Sequence, residues 1–506
     1  MNEKKRLIKN TGIIAIGNLS TKLVSFFLLP LYTALLSTSE YGTFDYILSI
    51  ATFCVPFVSV LMDESIFRFL IDCKTENQKK KVISTSVLVV IIGMFCFSII
   101  GIPIMQILHY KYTYYAIIYI LLNVVSGMLS ALLRGIGRTD QFAVFNFLLG
   151  SSQILLNVFF IAVLRWGLIG MLLASIIAQL IVSVIFILKI HLWKYISFKS
   201  IDNILTKKMI QYSFPLIPNK VSWTIINLSD RIILMNVVGS GATGLYAVSY
   251  KFPNLMDTVY GFFYQSWKES SARVLGDESQ NEFYNLVYRY LKNFMFALVV
   301  GMIAFMPLVF HVLINESYYK AIYYVPILLI ATYFANISGF YGGIFTAYKD
   351  TKIMGTTTVA AAIINLAVNI LLIKWIGIYA AALSTLVSNY AVYIYRKKKV
   401  KQYISLKEDW KNSIISMVTM ILILVMFYTE QTLYITIACI LAVVYAIFMN
   451  QEIIKIIFKK IISNSIFLYK SKDTIGEIRW KKYIKVNQNV VDAEHANTFV
   501  LNLQYR

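Results

Sequence analysis

Seven ionisable residues fall within long apolar runs of this chain: the cations Lys22, Lys220, Arg231 and Lys251, and the acids Asp45, Asp230 and Asp257. At mid-bilayer depth each would cost about 2.5–3.5 kcal/mol, so each needs a water-filled or protein-lined setting. Four cations against three acids leave an excess of donors, which suits a phosphorylated or otherwise anionic substrate. Arginine is shaped for bidentate phosphate contact. Two roles fit the acids: neutralising Lys22 and Arg231 in structural ion pairs, or binding a coupling ion.

These residues fall on helical faces. Asp45, Ser49, Thr52, Pro56, Ser59 and Asp63 step by four and three along one stripe. Lys220, Trp223, Asn227 and either Asp230 or Arg231 make a second. Tyr246, Tyr250, Pro253, Asp257, Tyr260 and Tyr264 make a third, flanked by Lys251, while Asn18, Lys22 and Ser25 share a side of the first helix. If these are the first two helices of two halves, their stripes are expected to line one central cavity. Lys22, Lys220, Arg231, Lys251, Asn18, Asn227 and Trp223 are then the candidate substrate-binding residues. Serine, threonine and asparagine also serve plain helix–helix hydrogen bonding. All eight prolines fall in expected spans, and Pro215 and Pro218 are the best candidates for a bend used in gating.

The elements that must position these groups follow from composition. The chain has 506 residues and a formal charge of +22, yet only 14% are charged and 58% are hydrophobic. Mean hydropathy is +0.68. Soluble domains are about 25% charged and 45–50% apolar. The balance excludes a nucleic-acid-binding globule and implies an all-α polytopic membrane protein. The apolar stretch at 11–36 is too long for a signal peptide's core and reads as a retained first helix.

Spans are expected near 11–36, 40–62, 82–108, 114–134, 142–164 and 168–190, then 212–238, 242–266, 291–313, 322–347, 353–373 and 378–395, and finally 412–429 and 433–450. With alternation from a cytoplasmic N-terminus, 39 of the 47 basic residues lie inside, 4 outside and 4 within spans. That asymmetry fits the positive-inside rule and places both termini in the cytoplasm. The expected organisation is an N-lobe of helices 1–6 (1–190), a cytoplasmic linker (191–211), a C-lobe of helices 7–12 (212–395), helices 13–14 (412–450) and a basic cytoplasmic tail (451–506). Segments 63–81, 189–211, 267–292 and 451–470 read as short amphipathic helices against membrane lipids.

Weak internal similarity supports a duplication. Residues 18–48 lie over 220–250, setting Gly42 on Gly244. GRTDQ (137–141) lies over AYKDT (347–351), and 165–175 over 375–385, setting Gly167 on Gly377. Two six-helix units that start and end on the same side are parallel repeats, an arrangement suited to alternating access.

Chemistry is also narrowed by what is missing. Cys54, Cys73, Cys96 and Cys439 form no CxxC, and His109, His191, His311 and His495 are far apart. No phosphate-loop, dinucleotide, nucleophile-elbow or zinc-protease motif occurs. No enzyme activity, metal or cofactor is expected.

The stretch YSFPLIPNKVSWTIINLSDRIILMNVVGSGATGLYAVSYKFP (212–253) resembles the seventh and eighth helices of polysaccharide repeat-unit flippases of the Wzx type. KNTGIIAIGNLSTKLVSFFLLPLYTALLSTSEYGTFDY (9–46) resembles their first helix and the entry to the second. Their superfamily also holds multidrug/toxin extrusion transporters and the lipid II flippase. The resemblance implies a two-lobed bundle of 14 helices in the bacterial cytoplasmic membrane. It also implies movement of an undecaprenyl-pyrophosphate-linked oligosaccharide to the outer leaflet for surface polysaccharide such as O-antigen, with polymerase machinery as a possible partner. Lys22, Lys220, Arg231 and Lys251 are the positions it would assign to pyrophosphate or anionic sugars. A cation-coupled multidrug exporter is the alternative: that class places acids in its N-lobe, where this chain has Lys22 in helix 1 and Asp45 in helix 2. A membrane-embedded polymerase or glycosyltransferase would need a large catalytic loop, and the longest expected outer loop is only about 8 residues.

Overall fold

The computed structural model describes residues 26–107, 111–350 and 352–455. Most of the expected first helix, with Asn18 and Lys22, and the tail from 456 onward lie outside the described residues. The described chain is helical, without strands. Its helices are α1 (Leu29–Leu35), α2 (Thr38–Ser59), α3 (Met62–Ile71), α4 (Glu76–Ile107), α5 (Thr113–Gly135), α6 (Thr139–Asn157), α7 (Gly167–Lys189) and α8 (Asn203–Ser213). There follow α9 (Ile217–Ile233), α10 (Ser240–Arg273), α11 (Gln280–Leu313), α12 (Val325–Ala347), α13 (Lys352–Ile376), α14 (Ile378–Val400), α15 (Trp410–Tyr428) and α16 (Thr432–Met449). By contacts, the described residues divide into one compact unit that ends at Ala442 and a second that begins at Val443.

Among the described residues, ten helical segments are long and apolar enough to cross a membrane. Of the other expected spans, the first lies mainly outside the described residues. The seventh, eighth and twelfth are α9, α10 and α14, whose polar stripes lower their hydropathy. Apolar side chains on α4 and α13 confirm a lipid-like solvent: Phe95, Ile99, Ile100, Ile363, Ile370 and Leu371 are all exposed. Among the described residues, two of the apolar clusters matter most for the site. Met62, Ile66 and Leu70 of α3 pack with Leu129, Leu133, Phe145 and Phe186. Leu234, Tyr246, Leu328 and Ile373 pack against Ala380–Ala382, where small residues let α13 and α14 approach closely.

Several expected boundaries shift, each for a physical reason. The stripe through Asp63 is cut, because Val60 and Leu61 adopt left-handed φ of 50° and 48° and start α3 in a new direction. No separate amphipathic helix fills 267–292. Instead α10 and α11, 34 residues each, run about 51 Å at 1.5 Å per residue and overshoot a roughly 30 Å hydrocarbon layer. The expected amphipathic character of 189–211 is carried by α8, capped by Asp202 on the Ile204 and Leu205 amides at 2.9 and 3.1 Å. Pro30, Pro218 and Pro326 sit in first turns, where no helical hydrogen bond is lost, and Pro215 lies in a 3-10 turn joining α8 to α9. Only Pro56, Pro103, Pro253 and Pro307 interrupt helix interiors among the described residues.

The aligned halves show matching backbone detail. Gly167 and Gly377 both open a helix with positive φ, 53° and 54°. The turns at Gly137 and Lys349 share one hydrogen-bond pattern, Arg138 N to Leu133 O and Asp350 N to Phe345 O. That match moves the second segment two residues from its place in the sequence alignment.

Candidate functional site

A capping box fixes the start of α2: the Glu40 amide donates to Ser37 Oγ (3.2 Å) and the Ser37 amide to Glu40 Oε2 (2.9 Å). One turn on, α2 crosses α10 with almost no space between them. A Cβ on Gly42 would overlap the Ser240 carbonyl, and one on Gly244 would overlap the Thr38 carbonyl. The contact is reciprocal, and Ser39 Oγ and Ser240 Oγ meet at 2.6 Å beside it. Tyr318 adds a further tie, donating to the carbonyls of Leu36 (3.1 Å) and Ser37 (2.7 Å).

Below this crossing lies the central ion pair. Arg231 Nε of α9 donates to Asp45 Oδ2 of α2 at 2.6 Å, with the side chains only 9% and 17% exposed. The guanidinium carbon stands 5.8 Å from the Tyr246 ring centroid and 5.2 Å from that of Tyr250, in cation–π range. Lys251 is half-buried, 6.0 Å from the Tyr41 ring and within electrostatic reach of both Asp45 and Arg231. It forms no ion pair with a described residue.

Asp230, one residue from Arg231 but on another face, turns into the second core. It accepts from Asn369 Nδ2 (2.7 Å), Tyr246 Oη (2.8 Å), Thr385 Oγ1 (3.0 Å) and, at 3.4 Å, Ser384 Oγ. The carboxylate is 1% exposed and satisfied by neutral donors, while buried Asn369 Oδ1 has no partner. Hydroxyl and carboxylate oxygens converge here, and oxygens of these types belong to the donor set of a hard cation. They are equally the setting of a carboxylate that takes and releases a proton.

Among the described residues, other candidates line separate cavities. Lys220 lines a cavity of about 230 Å³ with Thr52, Pro56, Ser59, Asp63 and Asn123. Much of the α2 stripe therefore does face one space, and Asp63 reaches it from α3 with a buried Oδ1 that has no partner. Asp257 lines a different cavity, of about 240 Å³, between α10, α12, α13 and α14. Trp223 and Asn227 belong to α9, but their side chains lie outside the description, as do Asn18 and Lys22.

Arg396 was missed as a site residue. It falls in the basic segment 396–411, next to Lys397, Lys398 and Lys399, and reads from sequence as one more cytoplasmic charge. In α14 it is 3% exposed and lines the Asp257 cavity. Asn365, Asn369, Ser384 and Thr385 were missed as well. A signal existed: asparagines four residues apart in an otherwise apolar span share one helical face.

Membrane-length helices, buried charges at a helix crossing and polar cavities behind it describe a polytopic membrane protein. The family profile described as "Polysaccharide biosynthesis protein" matches residues 7–267. The chain belongs to that family. No curated protein gives a significant match. Among solved structures, an inward-facing multidrug resistance MATE transporter of the MOP superfamily is similar with a TM-score of 0.63 at 13% identity, covering 77% of this chain and 98% of its own. The lipid II flippase MurJ in an inward closed conformation gives 0.61 at 14% identity, covering 88% and 100%. An outward-facing MATE transporter gives 0.53 at 14% identity, covering 79% and 96%.

Proposed function

We propose that this chain moves an undecaprenyl-pyrophosphate-linked oligosaccharide repeat unit from the cytoplasmic to the outer leaflet of a bacterial cytoplasmic membrane, by alternating access between two lobes. The observation that carries this reading is the pair of cations, Arg231 and Lys251, at the crossing of the two halves, in a chain of a polysaccharide biosynthesis family. A pyrophosphate is the part of such a substrate that every repeat unit shares, and a fixed guanidinium beside an ammonium is suited to it. Lys220 and Asp63 would serve the sugars from the neighbouring cavity, with Lys22, Asn18, Trp223 and Asn227 as further candidates. Similarity to a flippase of lipid-linked substrate supports the same reading.

On this view the Gly42–Gly244 crossing closes the outer end, and the chain stands open inward. Pro215 and Pro218, at the joint of α8 and α9, are where the second lobe would bend. Of the three acids, Asp45 serves as counter-ion to Arg231, and Asp230 is the better candidate for proton or sodium coupling. Asp257 belongs to the cavity taken up below. The second reading, a cation-coupled exporter of small molecules, is favoured by the Asp230 cluster alone.

Arg231 alone is a poor test, because its removal strands Asp45, and breaking a buried pair from one side costs about 3–5 kcal/mol. Lys251→Gln and the double variant Asp45→Asn/Arg231→Gln avoid this. Both are expected to cut surface polysaccharide by roughly tenfold or more, the scale of one or two lost charge-assisted contacts. Protein level should hold while lipid-linked oligosaccharide accumulates inside. Normal polymer from both variants rejects the reading, and drug efflux without any polymer phenotype favours the exporter.

A further inference from the structure

We propose that the cavity at Arg396 binds an acidic monosaccharide residue of the transported headgroup, a pyranose that carries a carboxylate. Four helices of the second half enclose about 240 Å³ there, and the lining includes Asp257, Tyr260, Tyr264, Asn336, Asn389 and Arg396. The volume is below the roughly 300–1,000 Å³ of drug-sized sites, which limits the occupant to about one ring.

Arg396 supplies the reason for an anion. Its guanidinium is held by neutral acceptors only: Thr357 Oγ1 takes Nε at 3.0 Å and Nη2 at 2.8 Å, and the Ser338 carbonyl takes Nη1 at 3.2 Å. Among the described residues it pairs with no carboxylate. A buried cation held in place without a counter-ion is a site prepared for one.

Two further side chains lining this cavity point to a ligand independently. Tyr260 is 8% exposed and Asn336 5%, yet Tyr260 Oη and Asn336 Nδ2 have no hydrogen-bond partner. Buried donors are rarely left so without a function. The remaining lining separates a sugar acid from a bare oxyanion. Asp257 brings a carboxylate, which repels phosphate but accepts from sugar hydroxyls. Tyr264, half-buried and stacked on Tyr260 with ring centroids 5.7 Å apart, offers a ring face to a pyranose. Cation, amide, phenol and acceptor together match a polyhydroxylated ring with one negative group.

This inference names the substrate class of the proposed flippase and rests on that reading for the ligand being part of a transported chain. The binding site itself is tested without transport. Purified full-length protein in nanodiscs would be titrated to millimolar concentrations with glucuronate, glucose or inorganic phosphate. Tryptophan fluorescence would be the readout, because Trp267 stacks on Phe340 at 4.3 Å beside the cavity. Glucuronate is expected to bind, with glucose and phosphate at least roughly tenfold weaker, as befits loss of a charged hydrogen-bonded partner. Arg396→Gln should abolish the response and Arg396→Lys restore part of it. Should Arg396→Gln fail to fold, Tyr260→Phe answers the same question. It removes a hydroxyl without a partner in the structure, so it should weaken glucuronate binding several-fold with thermal stability unchanged or higher.

Phosphate binding as tightly as glucuronate overturns the proposal, and so does glucuronate binding that ignores both Arg396→Gln and Tyr260→Phe. Wild-type protein that flips lipid-linked oligosaccharide but does not bind glucuronate overturns the subsite alone. Glucuronate binding that depends on Arg396, in a chain that moves no lipid-linked oligosaccharide, supports the subsite and rejects the flippase reading instead.

Discussion

At the scale of single residues, charge is managed by two different arrangements. Arg231 and Asp45 are a close pair in a protein-lined setting, whereas Glu408, in the segment between α14 and α15, serves two cations at once. Its Oε2 accepts from Lys292 at 2.7 Å, its Oε1 from Lys397 at 2.6 Å, and Tyr288 adds a third bond at 2.9 Å. Burial pushes the Glu408 carboxyl up, but the bonds from Lys292 and Lys397 outweigh it and hold the value at about 2. An unfolded glutamate titrates near 4.3. A value lowered on folding means stabilisation that is complete above about pH 4.5 and lost as pH falls toward 2. Melting of the detergent-purified protein should therefore show a drop across that window that Glu408→Gln lacks, with the variant less stable at neutral pH. Equal profiles for the two proteins would mean that Glu408 fastens nothing. Residue chemistry was partly legible beforehand. Asp45 was expected either to neutralise a cation or to bind an ion, and the geometry sets it 2.6 Å from Arg231. The partners of Asp230 were not legible, since its bonds reach across 139 and 155 residues and no local spacing records them. Arg396 was hidden by the three lysines that follow it, because a basic run at a helix end reads as a solvated terminus.

At the scale of elements, helix periods located the spans well, and the breaks between them poorly. Val60 and Leu61 turn the chain with left-handed backbone that apolar L-residues seldom adopt, so a pattern of hydrophobicity runs straight through them. The alignment of Gly42 with Gly244 was more informative than its weakness implied: the two positions meet across the crossing itself. That contact yields an element-level expectation. In a background without the four native cysteines, Ser39→Cys with Ser240→Cys should cross-link readily, since their hydroxyls lie at 2.6 Å. The cross-link should stop transport, and reduction should restore it. Gly42→Ala, whose methyl group overlaps the Ser240 carbonyl, should lower the yield severalfold by populating the separated state. An unchanged yield in Gly42→Ala would show that the helices part there without difficulty.

For the whole molecule, the sign of topology is carried by the basic residues, and their placement can be checked directly. Cysteines introduced at Lys320, exposed in a 3-10 helix, and at Lys349, exposed in a turn, should differ under a membrane-impermeant maleimide. Position 320 should react in intact cells, and position 349 only after permeabilisation. The opposite result would reverse the proposed direction of transport. Most of the +22 charge would then describe orientation, while substrate chemistry rests on a few buried cations that barely alter the total.

The crossing of α2 and α10 has a last consequence. Main chain meets main chain there, so the fit depends on the absence of two methyl groups and hardly on charge. Salt weakens exposed charge interactions and acid titrates carboxylates, but neither alters a steric match between backbones. On the proposed topology, a seal of this kind would stay equally tight when the medium outside turns dilute, saline or acidic, which is the variation that the exterior of a cell imposes.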